Sequence, residues 1–277
     1  MEYEALWANS LRYLFSALFA LPILLWKKSF KNFWARQKFA MFSGLLLFGC
    51  MYLQVLGLEI TTVAKSGFLT TFYVLFTPML SIIIFKEKYP VSLWVVVGLS
   101  LLGVALMCDL KWEGFNLGDL YTLGCAIFGA AHILTIGRLA SSIKDPVEFN
   151  FMQCFFMGVI GVIGGFILEG PPALAPLMNL HDLLRPSPLA GFLFLSLFSS
   201  LLAFSLQIFA QQSLPPHQVA LIFLLESPFA AFFAWLILNE GLSMMNLIGA
   251  FCVMTSVLAV PLLTKKSPPK LEGDPVF

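Results

Sequence analysis

The chain has 277 residues, 59% of them apolar and only 11% charged, and a formal net charge of +1. Its mean hydropathy is +0.89. A soluble domain carries about 25% charged residues, and no window here is polar enough to place one, so composition excludes an ordinary soluble enzyme or binding module.

Apolar stretches near the length that spans a hydrocarbon core of about 30 Å recur from end to end. In chain order they predict nine membrane helices: Ala8–Trp26, Lys38–Gly57, Thr62–Phe85, Ser92–Cys108, Leu117–Arg138, Val147–Leu168, Leu189–Ala210, Pro216–Leu238 and Met244–Thr264. Most connections are short and hold Pro, Gly, Asn or charge. The longest, Glu169 to Pro188, is rich in proline, and the polar tail from Lys265 to Phe277 is expected to be disordered and cytoplasmic. The first span is read as a retained helix, because its leading segment is acidic and its basic cluster follows it. Cys50, Cys108, Cys125, Cys154 and Cys252 all fall in apolar stretches without metal-ligand spacing, so they are read as packing residues.

Lysine and arginine placement sets the orientation. Lys27, Lys28, Lys31, Arg36, Lys38, Lys86, Lys88, Arg138, Lys144, Lys265, Lys266 and Lys270 share one side, whereas Lys111 and Arg185 stand on the other among most of the acids. The N-terminus is therefore expected outside and the C-terminus in the cytoplasm. Arg12 and Lys65 lie within spans.

Sliding the sequence by 153 residues brings Leu53-Gln54 onto Leu206-Gln207, Phe76 onto Phe229, Ile84 onto Ile237 and Glu87 onto Glu240. Spans two to four then map onto spans seven to nine. The offset is five spans, an odd number, so the copies would have opposite orientation, an arrangement common in transporters. Span five has no partner. The expected fold is thus all-α, a polytopic membrane helix bundle with nine visible spans from an inverted five-plus-five repeat lacking the first helix. Residues 1–138 would hold the first repeat with the opening helix of the second, and 117–264 the second repeat.

The segments Gly67-Phe-Leu-Thr-Thr-Phe-Tyr-Val-Leu-Phe-Thr-Pro78 with Lys86-Glu87-Lys88, Leu224-Leu-Glu-Ser-Pro-Phe-Ala-Ala-Phe-Phe-Ala-Trp-Leu-Ile-Leu-Asn-Glu-Gly-Leu-Ser243, and Asn9-Ser-Leu-Arg-Tyr13 resemble the fourth, ninth and second helices of EamA-type members of the drug/metabolite transporter superfamily. The resemblance covers nearly the whole chain. It implies a permease for amino acids, related metabolites or toxic compounds, and a first helix that lines the cavity.

Ser66, Thr70, Tyr73, Thr77 and Ser81 recur at helical spacing in span three and form one polar face. Lipid does not favour such a face; it would look onto a cavity or onto hydrogen bonds to a neighbouring helix. The repeat places Glu226 opposite Tyr73. An acid at mid-membrane defaults to a functional hypothesis, against a structural acid satisfying backbone disturbed by Ser227 and Pro228. Lys65 is either an interfacial anchor or an outer charge that meets a substrate carboxylate. His132 is a proton relay or a satisfied hydrogen bonder. Span seven carries Ser196, Ser200, Ala203, Gln207 and Gln211 on one face, and Gly158, Gly161, Gly164 and Gly165 in span six read as packing glycines.

The expected substrate site therefore comprises Lys65, Thr70, Tyr73, Thr77, His132, Gln207 and Glu226. No catalytic residue, metal cluster or phosphate-binding loop is visible, so neither an enzyme nor a cofactor is expected. The leading function is a secondary transporter working by alternating access in a bacterial inner membrane. A non-transporting scaffold or assembly factor on the same fold is the alternative, and an intramembrane enzyme is a third reading. Partners are a small-molecule substrate and membrane lipid, without nucleic acid, and a homodimer is left open.

Overall fold

The computed structural model describes residues 5–27, 33–108, 114–171, 188–239 and 241–263. Regular structure among the described residues is helical throughout. In chain order the helices are α1 (Ala5–Lys27), α2 (Phe33–Leu58), α3 (Val63–Thr70), α4 (Tyr73–Phe85), α5 (Val91–Met107), α6 (Leu117–Leu139), α7 (Pro146–Leu168), α8 (Pro188–Phe194), α9 (Phe204–Gln211), α10 (Pro216–Phe223), α11 (Glu226–Leu238) and α12 (Met244–Leu263). A π-helical segment, Leu195–Ala203, joins α8 to α9. Eight helical stretches are long and apolar enough to cross a membrane, and α5 is a shorter apolar helix. The nine expected spans thus reappear with their ends moved by a few residues. Spans three, seven and eight are interrupted rather than continuous. The tail and Glu240 lie outside the described residues.

Local chemistry fixes several helix ends. Asp145 caps α7, its carboxylate accepting from the Val147 and Glu148 N–H groups at 2.9 and 3.4 Å, with Pro146 at the first helical position, where no N–H is needed. Thr62 accepts from the Lys65 N–H at the start of α3. Glu169, just past α7, accepts from the Leu6 and Trp7 N–H groups, so a carboxylate sits on the positive N-terminal end of α1.

The chain forms two compact units, 1–56 with 135–212 and 57–134 with 213–277. Each draws helices from both halves of the sequence, so the units cut across the two repeats expected from the self-alignment. In the first unit, α1 packs antiparallel to α7. A Cβ on Gly158 would meet Leu14, one on Gly161 would meet Ser10, and one on Gly165 would meet Trp7. Those three glycines are packing positions, as expected. Gly164 has only Leu6 near it, at ordinary contact distance. Buried Tyr13, Ala17, Leu47, Cys154 and Met157 fill this interface.

In the second unit, α5 and α12 also pack antiparallel. A Cβ on Gly103 would stand 2.7 Å from the Gly249 carbonyl, and one on Gly249 would overlap that of Gly103. Only small residues permit such backbone approach in a membrane, where packing replaces the hydrophobic effect as the driving force. Val74, Leu93, Val97, Leu221, Leu224 and Val253 lie in the surrounding core.

Gly249→Leu is expected to destabilise the protein by about 1–3 kcal/mol or more, because a filled contact cannot accept a larger side chain. Gly98→Leu, at a site with open space, is expected to be neutral. Thermal unfolding of the two variants in detergent checks the contrast.

Candidate functional site

Two broken spans dominate the second unit. Between α3 and α4 the Thr71 N–H donates to the Phe68 carbonyl, Phe72 to Leu69 and Val74 to Thr71, a tight turn of i→i−3 bonds inside an apolar helix. Between α10 and α11, Leu224 donates to Leu221, Leu225 to Ile222 and Ser227 to Leu224. Every donor and acceptor is displaced by 153 residues. The helices also end alike: Lys86 has φ 55° and Asn239 φ 56°, the two left-handed non-glycine residues among the described ones. Asn tolerates this conformation better than Lys, which bears the Cβ penalty at the end of α4.

The local causes of the two breaks differ. Pro228 lacks an N–H and its ring crowds the carbonyl four residues back, that of Leu224, which is where α10 stops. Leu75 stands at the matching place in the first copy. There, threonines supply alternative bonds: Thr70 Oγ1 donates to the Ser66 carbonyl at 2.9 Å and Thr71 Oγ1 to that of Phe68 at 2.6 Å.

The polar face of span three turns largely inward. Ser66, Thr77 and Ser81 are buried and Thr70 and Tyr73 half-buried. Its serine and threonine hydroxyls are engaged within the chain. Thr77 donates to the Tyr73 carbonyl, Ser81 to Glu87 Oε2, and Thr122 on α6 lies 3.5 Å from the Ser66 hydroxyl. Tyr89 also donates to Glu87, at 2.6 Å, and its ring meets that of His217 edge-on.

Lys65 is buried with its ammonium 2.6 Å from Asp119 Oδ2, and it also donates to the Gly114 carbonyl. Asp119 accepts further from Thr61 Oγ1 at 2.6 Å and from the Asn116 N–H at 2.8 Å. The carboxylate beside Lys65 comes from the start of α6. Here Lys65 joins α3 to α6 rather than reaching for the interface.

Tyr73 and Glu226 occupy equivalent places, each the first residue after its break. Tyr73 packs against the Val74–Leu93–Leu221 core. Glu226 is exposed rather than buried. His132 is buried in α6 of the same unit. Gln207 is buried in α9 of the other unit, its amide 3.3 Å from Gln211 Oε1. Lys65, Thr70, Tyr73, Thr77, His132 and Glu226 therefore share one compact unit, and Gln207 does not.

The first unit has a polar core that the sequence reading overlooked. Asn150 and Gln153 of α7 are fully buried. Ser43 on α2 donates to Gln153 Oε1 at 3.0 Å, and Gln153 donates to Asn150 Oδ1 at 2.7 Å. Asn150 Nδ2 points at the Ser200 and Leu201 carbonyls and Ser205 Oγ, each at 3.0 Å. The two carbonyls belong to the π segment, where widened hydrogen bonding leaves acceptors for a neighbour to satisfy. The available signal was an Asn–x–x–Gln pair inside an otherwise apolar span.

These features define a polytopic helical membrane protein whose interrupted spans carry matched breaks in a shared register. The model of the EamA-like transporter family matches residues 2–108 and 116–261, and the chain belongs to that family. It is 28% identical over 254 residues to an uncharacterized transporter of Archaeoglobus fulgidus, spanning 92% of this chain and 76% of that protein. A second uncharacterized transporter, from Methanothermobacter thermautotrophicus, is 26% identical over 206 residues, 73% of this chain and 57% of the other. A protein crystal structure with a TM-score of 0.74 covers 94% of this chain and 88% of its own at 13% identity, which shows a shared fold.

Breaking the buried ion pair tests its role. Lys65→Met or Asp119→Leu alone is expected to cost about 3–5 kcal/mol, because each leaves an uncompensated buried charge, while the double variant recovers most of the loss. Thermal unfolding of the three variants checks this.

Proposed function

We propose that the protein is a secondary transporter that moves a small metabolite, amino acid or drug-like compound across a bacterial inner membrane by alternating access. The observation that carries this reading is the pair of broken spans, α3–α4 and α10–α11. Irregular backbone is tolerated at membrane depth only where protein or a cavity satisfies it, and transporters place such breaks beside their substrate sites. The matching registers and the antiparallel packing of α1 on α7 and of α5 on α12 fit an inverted repeat. In this reading Tyr73 and Glu226 flank the transport route, with Thr70 and Thr77 beside them. Glu226, exposed at its break, is the group that binds a proton or a cationic substrate. The N-terminus is outside and the C-terminus cytoplasmic.

Two measurements test this reading. A cysteine placed at Ser142 is expected to react with an impermeant reagent only from the cytoplasmic side, and one at Glu59 only from outside; labelling of both from one side overturns the topology. Purified protein in vesicles, tested against a panel of amino acids, amines and organic acids, is expected to give saturable flux for one class. Glu226→Gln keeps the shape but cannot ionise, and is expected to abolish uphill uptake driven by a pH gradient while retaining exchange. Unchanged gradient-driven uptake removes Glu226 as the coupling group, and absence of flux for every class favours a scaffold.

A further inference from the structure

We propose that Arg12 is an anion-binding group in the first unit, and that its ligand is a small carboxylate on an apolar body. The inference rests on the transport reading for the ligand being a substrate. The site itself stands on geometry.

Arg12 lies on the second turn of α1, about 10 Å along the helix from Ala5 at 1.5 Å per residue. A guanidinium at membrane depth is costly, and arginine does not shed its proton to escape that cost. Elsewhere the chain answers such a charge with an acid, as Lys65 and Asp119 show. Arg12 has no carboxylate within ion-pair distance among the described residues. Its contacts are neutral. One terminal nitrogen donates to the Tyr13 hydroxyl at 2.5 Å and lies 3.8 Å from Met51 Sδ, and the guanidinium carbon stands 4.6 Å from the centre of the Tyr13 ring. The ring face gives partial electrostatic relief. The Nε–H is shut off from solvent and has no hydrogen-bond partner.

The guanidinium fork is thus oriented by Tyr13 and Met51, with donor capacity left over. A carboxylate matches such a fork with two parallel charge-assisted bonds and supplies the missing charge. The rest of the ligand is inferred from the side chains next to Arg12. Tyr13 and Met51, which touch Arg12, belong to an apolar cluster with Leu47, Met157, Phe48 and Phe204. A hydrocarbon or aromatic body beside the carboxylate would suit these apolar neighbours.

The experiment uses the full chain in nanodiscs of phosphatidylcholine, with benzoate as the probe and benzamide as its uncharged counterpart. Phenylglyoxal modification of Arg12, followed by mass spectrometry, is expected to slow about tenfold with benzoate at roughly ten times its Kd, because protection follows occupancy, and to be unchanged by benzamide. Binding of radiolabelled benzoate is expected to weaken at least as much in Arg12→Gln and less in Arg12→Lys, which keeps the charge and loses the fork. Equal protection by benzamide, no protection by benzoate, or full-strength benzoate binding by Arg12→Gln overturns the site. Because protection is read on the unaltered protein, a misfolded variant does not obscure the result. Protection by phosphatidylglycerol without benzoate assigns the anion to a lipid headgroup and also overturns the proposal. Flux separates the two readings. Transport of a neutral compound equally by wild type and Arg12→Gln leaves the transporter standing without this site. Arg12-dependent benzoate binding with no flux of any compound leaves the site standing without transport.

Discussion

Hydrocarbon offers no hydrogen bonds, so every backbone N–H and C=O of this chain that lies within it must find its partner in the protein itself. Most do so within helices. The informative places are those where the helical pattern stops, because each stop has to be answered by something specific. At α3–α4 threonine hydroxyls and a tight turn answer it. At α10–α11 a proline forces the stop and the same tight turn answers it. In the π segment Asn150 reaches across from α7 to the Ser200 and Leu201 carbonyls.

This requirement also explains how polar residues are spent. The chain is poor in charge, and several of its buried polar side chains act as backbone partners or as partners of one another. Ser43, Gln153 and Asn150 form a relay ending on main-chain carbonyls. Thr77 bonds the turn beneath it. Asp119 takes bonds from a side chain, a main-chain N–H and an ammonium at once. Hydroxyl stripes in such a protein are therefore weak indicators of a ligand, whereas a donor or charge left unanswered is a stronger one.

Span positions were legible because hydropathy over about 20 residues reports the thickness of the bilayer directly. The break before Glu226 was half legible: Pro228 and Ser227 announced a disturbance, and the 153-residue register carries it to Tyr73, where no proline stands at the matching place. The Lys65–Asp119 pair was not legible. Its members lie 54 residues apart, and nothing in either local sequence names the other. Asn150 and Gln153 were passed over because Phe, Met and Cys surround them, yet a polar pair one turn apart in such a span has only the protein interior to face. The compact units were hidden for a different reason: helices from both halves interleave, and chain order does not report which helices pack together.

The two left-handed caps have a mechanical consequence. From Val63 to Phe85 and from Pro216 to Leu238 the chain runs the same number of residues, with a break after the same eighth position and a sharp exit at the same place. Each run is about 34 Å long at 1.5 Å per residue, slightly more than the hydrocarbon it has to cross. Both therefore work as gauges of the same length, and each is long enough to cross the bilayer with some tilt. One residue inserted on either side of a break would turn everything beyond it by about 100° and leave the two gauges mismatched.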